Sequence, residues 1–531
     1  MLNYENYIFV GFLPEIFLSI AILGQLLYNV LFIQKKNISF QYEVNGSVYF
    51  FQTLLILISV LALLFLQSDS SSVSSFSSLL LVTTKGICSL KLFIILVAVL
   101  ILPCITVSLI LQKINSFEYY TIFLVTLLSS LLLVSANDFL IIFLILEIQS
   151  FCFYGLTIYR KNSVFSVEAG LKYFIFGSIA SGFLLFSLSC LYGITGTLNL
   201  FELTVLFHTG FPFIGLSENM NLICEYAIFG IVIAILFKLG SAPLHFWVPD
   251  VYEGSPLSST IIFTIFPKIV LFELLIRIKL IVGYTINLDA LFFVFGLATI
   301  FIGSFLAVNQ IRLKRFFICS SIAQMGFPIV IFSSGTYSYF SYIYFFIFIY
   351  IFSAIGMWIA YLFIYFILRN NNKSNTDPIY IDDLAFIKYA NPRFGYFICF
   401  YAFVLSGLPP FATFFAKYFI ISVYAYDAKF FGTIAILIGS LISTFYYIRL
   451  IKVLFFYTNK IISKANITSE EFNKVFLFIN KNNENPQFIW LNAYLLALST
   501  GFLIFVYYFF DSLMSFSNFI FIYHFNALNL W

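Results

Sequence analysis

The sequence predicts an all-α polytopic membrane protein of about 14 transmembrane helices, some of them broken, and three observations carry that prediction. Of 531 residues, 62% are hydrophobic and 9% charged, with a mean hydropathy of +1.02. Soluble domains run near a quarter charged, so a water-facing globule is excluded. Apolar stretches recur along the whole chain, each near the ~20 residues needed to cross a hydrocarbon core about 30 Å thick. Four charged residues stand out inside such stretches.

In order, the stretches are 8–33, 48–67, 88–111, 117–136, 139–159, 169–194, 224–243, 257–283, 288–308, 316–335, 340–368, 395–424, 428–456 and 489–510. Several exceed one span, which implies tilt or breaks. The first lacks a basic n-region and carries Glu5 and Glu15, so it reads as a membrane helix, not a cleaved signal or transit peptide. Polar interruptions are short apart from 68–85 (Ser-rich), 197–223, 369–393 and 457–488, the last expected to form a surface helix in part. None is long or polar enough for a separate soluble domain.

Basic residues are unevenly shared among the interruptions. Those after odd-numbered stretches hold 16 Lys and Arg, those after even-numbered ones five: Lys85, Lys91, Arg277, Lys279 and Lys429. The odd loops therefore face the side of synthesis and both termini the opposite side. The net charge of +4 is too small and dispersed for nucleic-acid binding. Seven scattered cysteines without a CxxC pair and three histidines offer no zinc, iron–sulfur or haem site, so no metal or cofactor is expected in this chain. Abundant Phe, Ile, Tyr, Asn and Lys point to an organellar or otherwise AT-biased genome.

Ionisable residues at bilayer depth cost several kcal/mol unless paired or hydrated. Four stand out: Glu147, Lys238, Lys268 and Lys417. Lys238 precedes Gly240 and Pro243, Lys268 follows Pro267, and Lys417 follows Gly407, Pro409 and Pro410. Proline removes a helical N–H and glycine weakens the helix, so breaks are expected at all these positions. Broken membrane helices often mark ion pathways. Desolvation and a nearby carboxylate act in opposite senses on a buried lysine's charge. Moving Glu147 towards or away from Lys238 would load or release a proton, and water-linked groups of this kind would form a proton path. The bland alternative is a set of structural ion pairs or snorkelling side chains.

The remaining charges read as local. Glu168 with Lys172 and Glu273 with Arg277 are spaced for helical pairs. Glu15 and Asp138 lie near span ends, where capping is expected. Arg449 and Lys452 would snorkel, and Tyr446 and Tyr447 would pack. His245 is either a relay near Lys238 or a satisfied buried histidine.

The run Phe237–Pro256, FKLGSAPLHFWVPDVYEGSP, resembles a signature of the subunit 2 (bacterial subunit N) family of respiratory complex I. ANDFLIIFLILEIQSFCFYG, VEAGLKYFIFGSIASGFLLF, LKRFFICSSIAQMGF, SGLPPFATFFAKYFI and TFYYIRLIKVLFF follow the same family pattern, so the likeness covers roughly 134–456. The resemblance implies N-terminal helices over 1–116, inverted five-helix repeats over 117–283 and 284–456, an extramembrane loop at 457–488, and a last helix and tail over 489–531. It implies that Glu147 pairs with Lys238, that Lys268 is a central lysine, and that Lys417 is the terminal one. In SSIAQMG, Gln324 stands where many relatives have histidine, so that position supports without titrating. Flavin, iron–sulfur clusters and quinone would belong to partner subunits of NADH:ubiquinone oxidoreductase. Those partners would include the neighbouring antiporter-like subunit, the small membrane chain 4L and accessory subunits, with lipids such as cardiolipin, in the mitochondrial inner membrane. The rival readings are a multisubunit cation/proton antiporter component, a plastid relative, and a non-pumping structural subunit.

Overall fold

The computed structural model describes residues 11–33, 45–69, 76–77, 80–112, 114, 117–208, 218–283, 286–369, 379–385, 387, 392–456, 486–506 and 508–529. The first six stretches form α1 (Leu13–Ile33), α2 (Asn45–Asp69), α3 (Lys85–Leu111), α4 (Phe117–Ser135), α5 (Phe139–Ile158) and α6 (Val164–Thr195). A two-residue hairpin, β1 (Phe76–Ser77) and β2 (Val82–Thr83), lies in the Ser-rich interruption. Side-chain caps fix two of the starts: Thr84 accepts from the Ile87 N–H before α3, and Asp138 from the Leu140 N–H before α5. The interruption at 197–223 contains a short helix not expected from its sequence, α7 (Leu200–His208).

The seventh and twelfth stretches are broken. α8 (Glu218–Leu239) stops at Gly240, and the chain turns before resuming as α9 (Trp247–Gly254). Likewise α14 (Pro392–Ser406) stops at Gly407, and α15 (Ala412–Tyr426) begins after a turn. Gly240 has φ 74° and Gly407 φ 79°, left-handed conformations that cost an L side chain energy. The bonds Ala242–Pro243 and Pro409–Pro410 are cis. Between the breaks run α10 (Leu257–Val282), α11 (Asp289–Asn309), α12 (Leu313–Ile331) and α13 (Ser341–Arg369). After them come α16 (Phe430–Phe456), α17 (Pro486–Phe505) and α18 (Phe510–Asn529). α18 is helix where a tail was expected, and residues 457–485 of the expected extramembrane loop lie outside the described residues.

Pro267 corrects the sequence reading, because α10 runs through it without a break. All 26 residues of α10 are buried, so packing on every side holds the helix across the missing N–H. Among the described residues, ten helices are long and apolar enough to cross a membrane, and the bent pair α17–α18 adds an eleventh if counted as one span. α14 and α15 fall short of that length because the break leaves them 15 residues each.

The loops sort by parity. At one face Arg160, Glu253, Arg312 and Ile379, from interruptions after odd-numbered stretches, line one cavity. At the other, Leu81 bridges Ala136, Asp138 bridges Asn199, and Lys429 Nζ donates to the Ser333 carbonyl at 2.5 Å. α10 spans about 39 Å between these faces at 1.5 Å per residue. Four of the five basic residues assigned to even loops are in fact helical: Lys85 and Lys91 in α3, Arg277 and Lys279 in α10.

Candidate functional site

The break after α8 sets Lys238 at a helix end inside the protein, facing α5. Its Nζ lies 3.3 Å from Glu147 Oε1, and the two side chains are 14% and 21% exposed. The Ser150 hydroxyl, one turn on, donates to the Glu147 carbonyl at 2.8 Å. Beside this pair lies a cavity of about 30 Å³, lined by Gln149, Ser150, Tyr154, Tyr173, Lys238 and Pro267 among others. A space of that size holds a water where polar groups can bond it.

Pro267 brings α10 to the cavity wall, and Lys268 is its neighbour. Lys268 is 5% exposed, and its Nζ donates to the Tyr350 hydroxyl at 2.7 Å and lies 4.6 Å from the ring centroid. Tyr350 in turn lines a second cavity of about 20 Å³ with Ser320, Ser321, Gln324, Leu405 and Tyr447. Gln324 Nε2 donates to the Leu405 carbonyl at 2.9 Å. The next carbonyl, Ser406, accepts from Lys417 Nζ at 2.9 Å, and Ser443 Oγ lies 3.0 Å from the same nitrogen. The Phe327 ring centroid is 4.8 Å from it. The second helix break thus ends α14 on a carbonyl that holds the last lysine.

These groups form a row from Glu147 through Lys238, Lys268 and Tyr350 to Gln324 and Lys417. Only the first lysine is held by a carboxylate in this row; the others meet hydroxyls, carbonyls and ring faces. Hydroxyls and amines both give and accept protons, and waters between them bridge gaps too long for direct bonds.

The other candidates are placed elsewhere. Lys172 pairs with Glu168 at 2.8 Å, as its spacing predicts, but also with Asp250 at 3.4 Å. It lies in the odd-face cavity, about 390 Å³, where Arg315 joins Asp250 at 3.1 Å and Arg312 joins Glu253 at 2.8 Å. The Glu253 side chain also attracts the Arg312 guanidinium strongly enough to push its pKa up. Tyr173 and Trp247, stacked at 5.0 Å, line the cavity at Lys238. His245 is buried with Nδ1 3.2 Å from the Pro243 carbonyl, which is the satisfied-histidine arrangement. Asp138 caps α5 as expected, and Glu273 pairs with Arg277 at 2.9 Å.

Two charges have partners that their local sequence does not name. Glu15 stands in the first turn of α1, where a carboxylate was expected, and is also 4% exposed and ion-paired to Lys91, because α3 brings that ammonium against it. Arg449 binds the Val308 carbonyl at the end of α11 at 2.5 Å, so a neighbouring helix end anchors it. Sequence reading missed Tyr350, Ser443 and Tyr344. Tyrosine and serine are common in apolar helices, so nothing local distinguishes these three; only the approach of α13 and α16 to the lysines does.

The family described as "NADH:quinone oxidoreductase/Mrp antiporter, TM" matches residues 136–443, which contain the whole row. NADH-ubiquinone oxidoreductase chain 2 of Marchantia polymorpha is 31% identical over 456 residues, covering 85% of this chain and 90% of the relative. NADH-quinone oxidoreductase subunit N of Pelagibacter ubique is 30% identical over 84% of this chain and 89% of its own length. A chain of respiratory complex I from Thermus thermophilus has the same fold, with TM-score 0.69 at 21% identity over 94% of this chain and 98% of that one. A chain of the Mrp complex from Dietzia does too, with TM-score 0.74 at 15% identity over 98% and 99%. With that match over more than half its length, the chain belongs to the NADH:quinone oxidoreductase/Mrp antiporter family of multi-pass membrane subunits.

Proposed function

We propose that this chain is a proton-translocating membrane-arm subunit of NADH:ubiquinone oxidoreductase, an enzyme complex whose redox chemistry lies in other subunits. One observation carries the reading: between a carboxylate-paired lysine at one helix break and a lysine on the carbonyl of a second break lie Lys268 and two water-sized cavities. The names of the relatives supply the rest. The proton enters near Lys238, whose ion pair with Glu147 sets when it is released. It then passes Lys268, Tyr350 and the Gln324 cavity to Lys417. Gln324 orients water there and carries no charge itself.

The two breaks lie in the two proposed repeats, 117–283 and 284–456. Flavin, iron–sulfur clusters and quinone sit in partner subunits. The chain contacts a neighbouring antiporter-like subunit, chain 4L, accessory subunits and lipids such as cardiolipin. We place it in the mitochondrial inner membrane with the odd loops in the matrix.

Lys238→Met in the assembled complex tests the pathway: assembly and NADH oxidation stay near parental while fewer protons are moved per electron. An unchanged proton/electron ratio overturns it. The second reading, a cation/proton antiporter component without redox coupling, draws on the fold shared with the Mrp chain. A native gel of mildly solubilised membranes stained for NADH dehydrogenase separates the two. Co-migration with the large active band supports the first, and recovery only in a redox-silent assembly supports the second.

A further inference from the structure

We propose that Arg277, positioned by Glu273, is a fixed-charge seal that stops protons from running from Lys268 straight along α10 to the even-loop face. The inference rests on the proton-path reading above and adds to it the reason why the path turns sideways towards Lys417.

The short circuit is built into the helix pair. Lys268 bonds Tyr350, and five residues further along α10 Glu273 Oε2 accepts from the Tyr344 hydroxyl at 2.5 Å. Five residues on α10 rise about 7.5 Å and six on α13 about 9 Å, so these are successive rungs of one antiparallel pair. Beyond them, Lys279 Nζ pairs with Asp289 Oδ1 at 2.6 Å, and Asp289 is 38% exposed at the even-loop face. Titratable groups therefore line α10 from its middle to its end.

Arg277 interrupts the line. Its Nε donates to Glu273 Oε1 at 2.9 Å and its Nη1 to the Ala136 carbonyl at 2.9 Å, while Nη2 donates to the Val134 carbonyl. Those carbonyls belong to the C-terminal end of α4, whose unsatisfied oxygens and dipole favour a cation. The two charged side chains are 6% and 1% exposed. A relay member must accept a proton before it gives one, and a guanidinium has five donors, no acceptor, and does not deprotonate in proteins. Its fixed positive charge also repels an arriving proton, as arginines do in pores that exclude protons. The linings of the three cavities above include none of Glu273, Arg277 and Tyr344.

The test uses the purified complex carrying the variant chain, reconstituted in liposomes. Passive proton decay is followed without turnover, and pumping with NADH and quinone. Arg277→Gln is expected to speed passive decay about tenfold, the effect of ~1.4 kcal/mol taken off a barrier. Arg277→Lys, which puts a titratable amine where the guanidinium stood, is expected to leak as well. Parental decay in Arg277→Gln or in Arg277→Lys overturns the proposal. Tyr344→Phe covers the case in which Arg277→Gln fails to assemble. The seal predicts that it stays tight and pumps, whereas lost pumping without leak makes Glu273 an exit relay and overturns the seal. Lys268→Met, run alongside, reports on the pathway itself: parental pumping there removes the pathway reading, while the turnover-free leak assay still reads the seal alone.

Discussion

Glu147 and Tyr350 hold their lysines by different chemistry, and their removal has different consequences. Glu147→Gln takes a carboxylate from 3.3 Å of Lys238 Nζ and leaves a largely buried ammonium facing a neutral amide. On the proposed pathway this removes the switch that loads and releases the proton, so pumping is expected to fall as far as it does in Lys238→Met, and NADH oxidation with and without uncoupler measures it. Tyr350→Phe removes one neutral oxygen from Lys268 and keeps the ring beneath it. A buried donor left without its acceptor costs about 1–3 kcal/mol. The variant is therefore expected to assemble and pump more slowly, a partial loss set against the full loss in Glu147→Gln. The four charges of the row were legible in the sequence because the bilayer makes any charge conspicuous. Their neutral partners were not, because Tyr350 and Ser443 look like their many neighbours in apolar helices.

At the level of elements, the breaks were legible only where proline and glycine act together. Gly240 with Pro243, and Gly407 with Pro409 and Pro410, end helices; Pro267 alone does not, since α10 is packed on all sides. A left-handed turn is what glycine adds, and it is the turn that exposes the last carbonyls to a lysine. Gly407→Ala tests this. The alanine pays about 1–2 kcal/mol for its left-handed φ, and its Cβ would lie 2.9 Å from Lys417 Cδ. Lower heat stability of the complex together with reduced pumping is expected, whereas an alanine at Phe411, outside the left-handed region, changes pumping little. Helix pairing was less legible: Glu15 and Lys91 are 76 positions apart and nothing in either stretch names the other. Glu15→Ala leaves Lys91 buried without its partner, which costs about 3–5 kcal/mol. Loss of the chain from the native-gel band would show that this pair fastens α1 to α3.

For the whole molecule, the alternation of loops is a geometric result and the direction of proton movement depends on which face is which. Residues of the odd interruptions converge on the cavity with Arg160, Arg312, Lys314 and Arg315, while Asp289, Ser333 and Lys429 lie at the opposite face. By the positive-inside rule, the excess of positive charge at the odd face is expected to put it on the side of synthesis. Asn162 and Ala290 are exposed at the two faces, and each replaced by cysteine can report its side. Five of the seven native cysteines are buried and the other two, Cys152 and Cys190, lie within α5 and α6, so the parent chain gives a low background to a membrane-impermeant maleimide. Asn162→Cys is expected to react in inverted vesicles, with the matrix face outward, and Ala290→Cys in right-side-out ones. The opposite pattern would reverse the orientation. It would also move the charged odd-face cavity to the side of proton release, and the row would then have to be read from Lys417 towards Glu147.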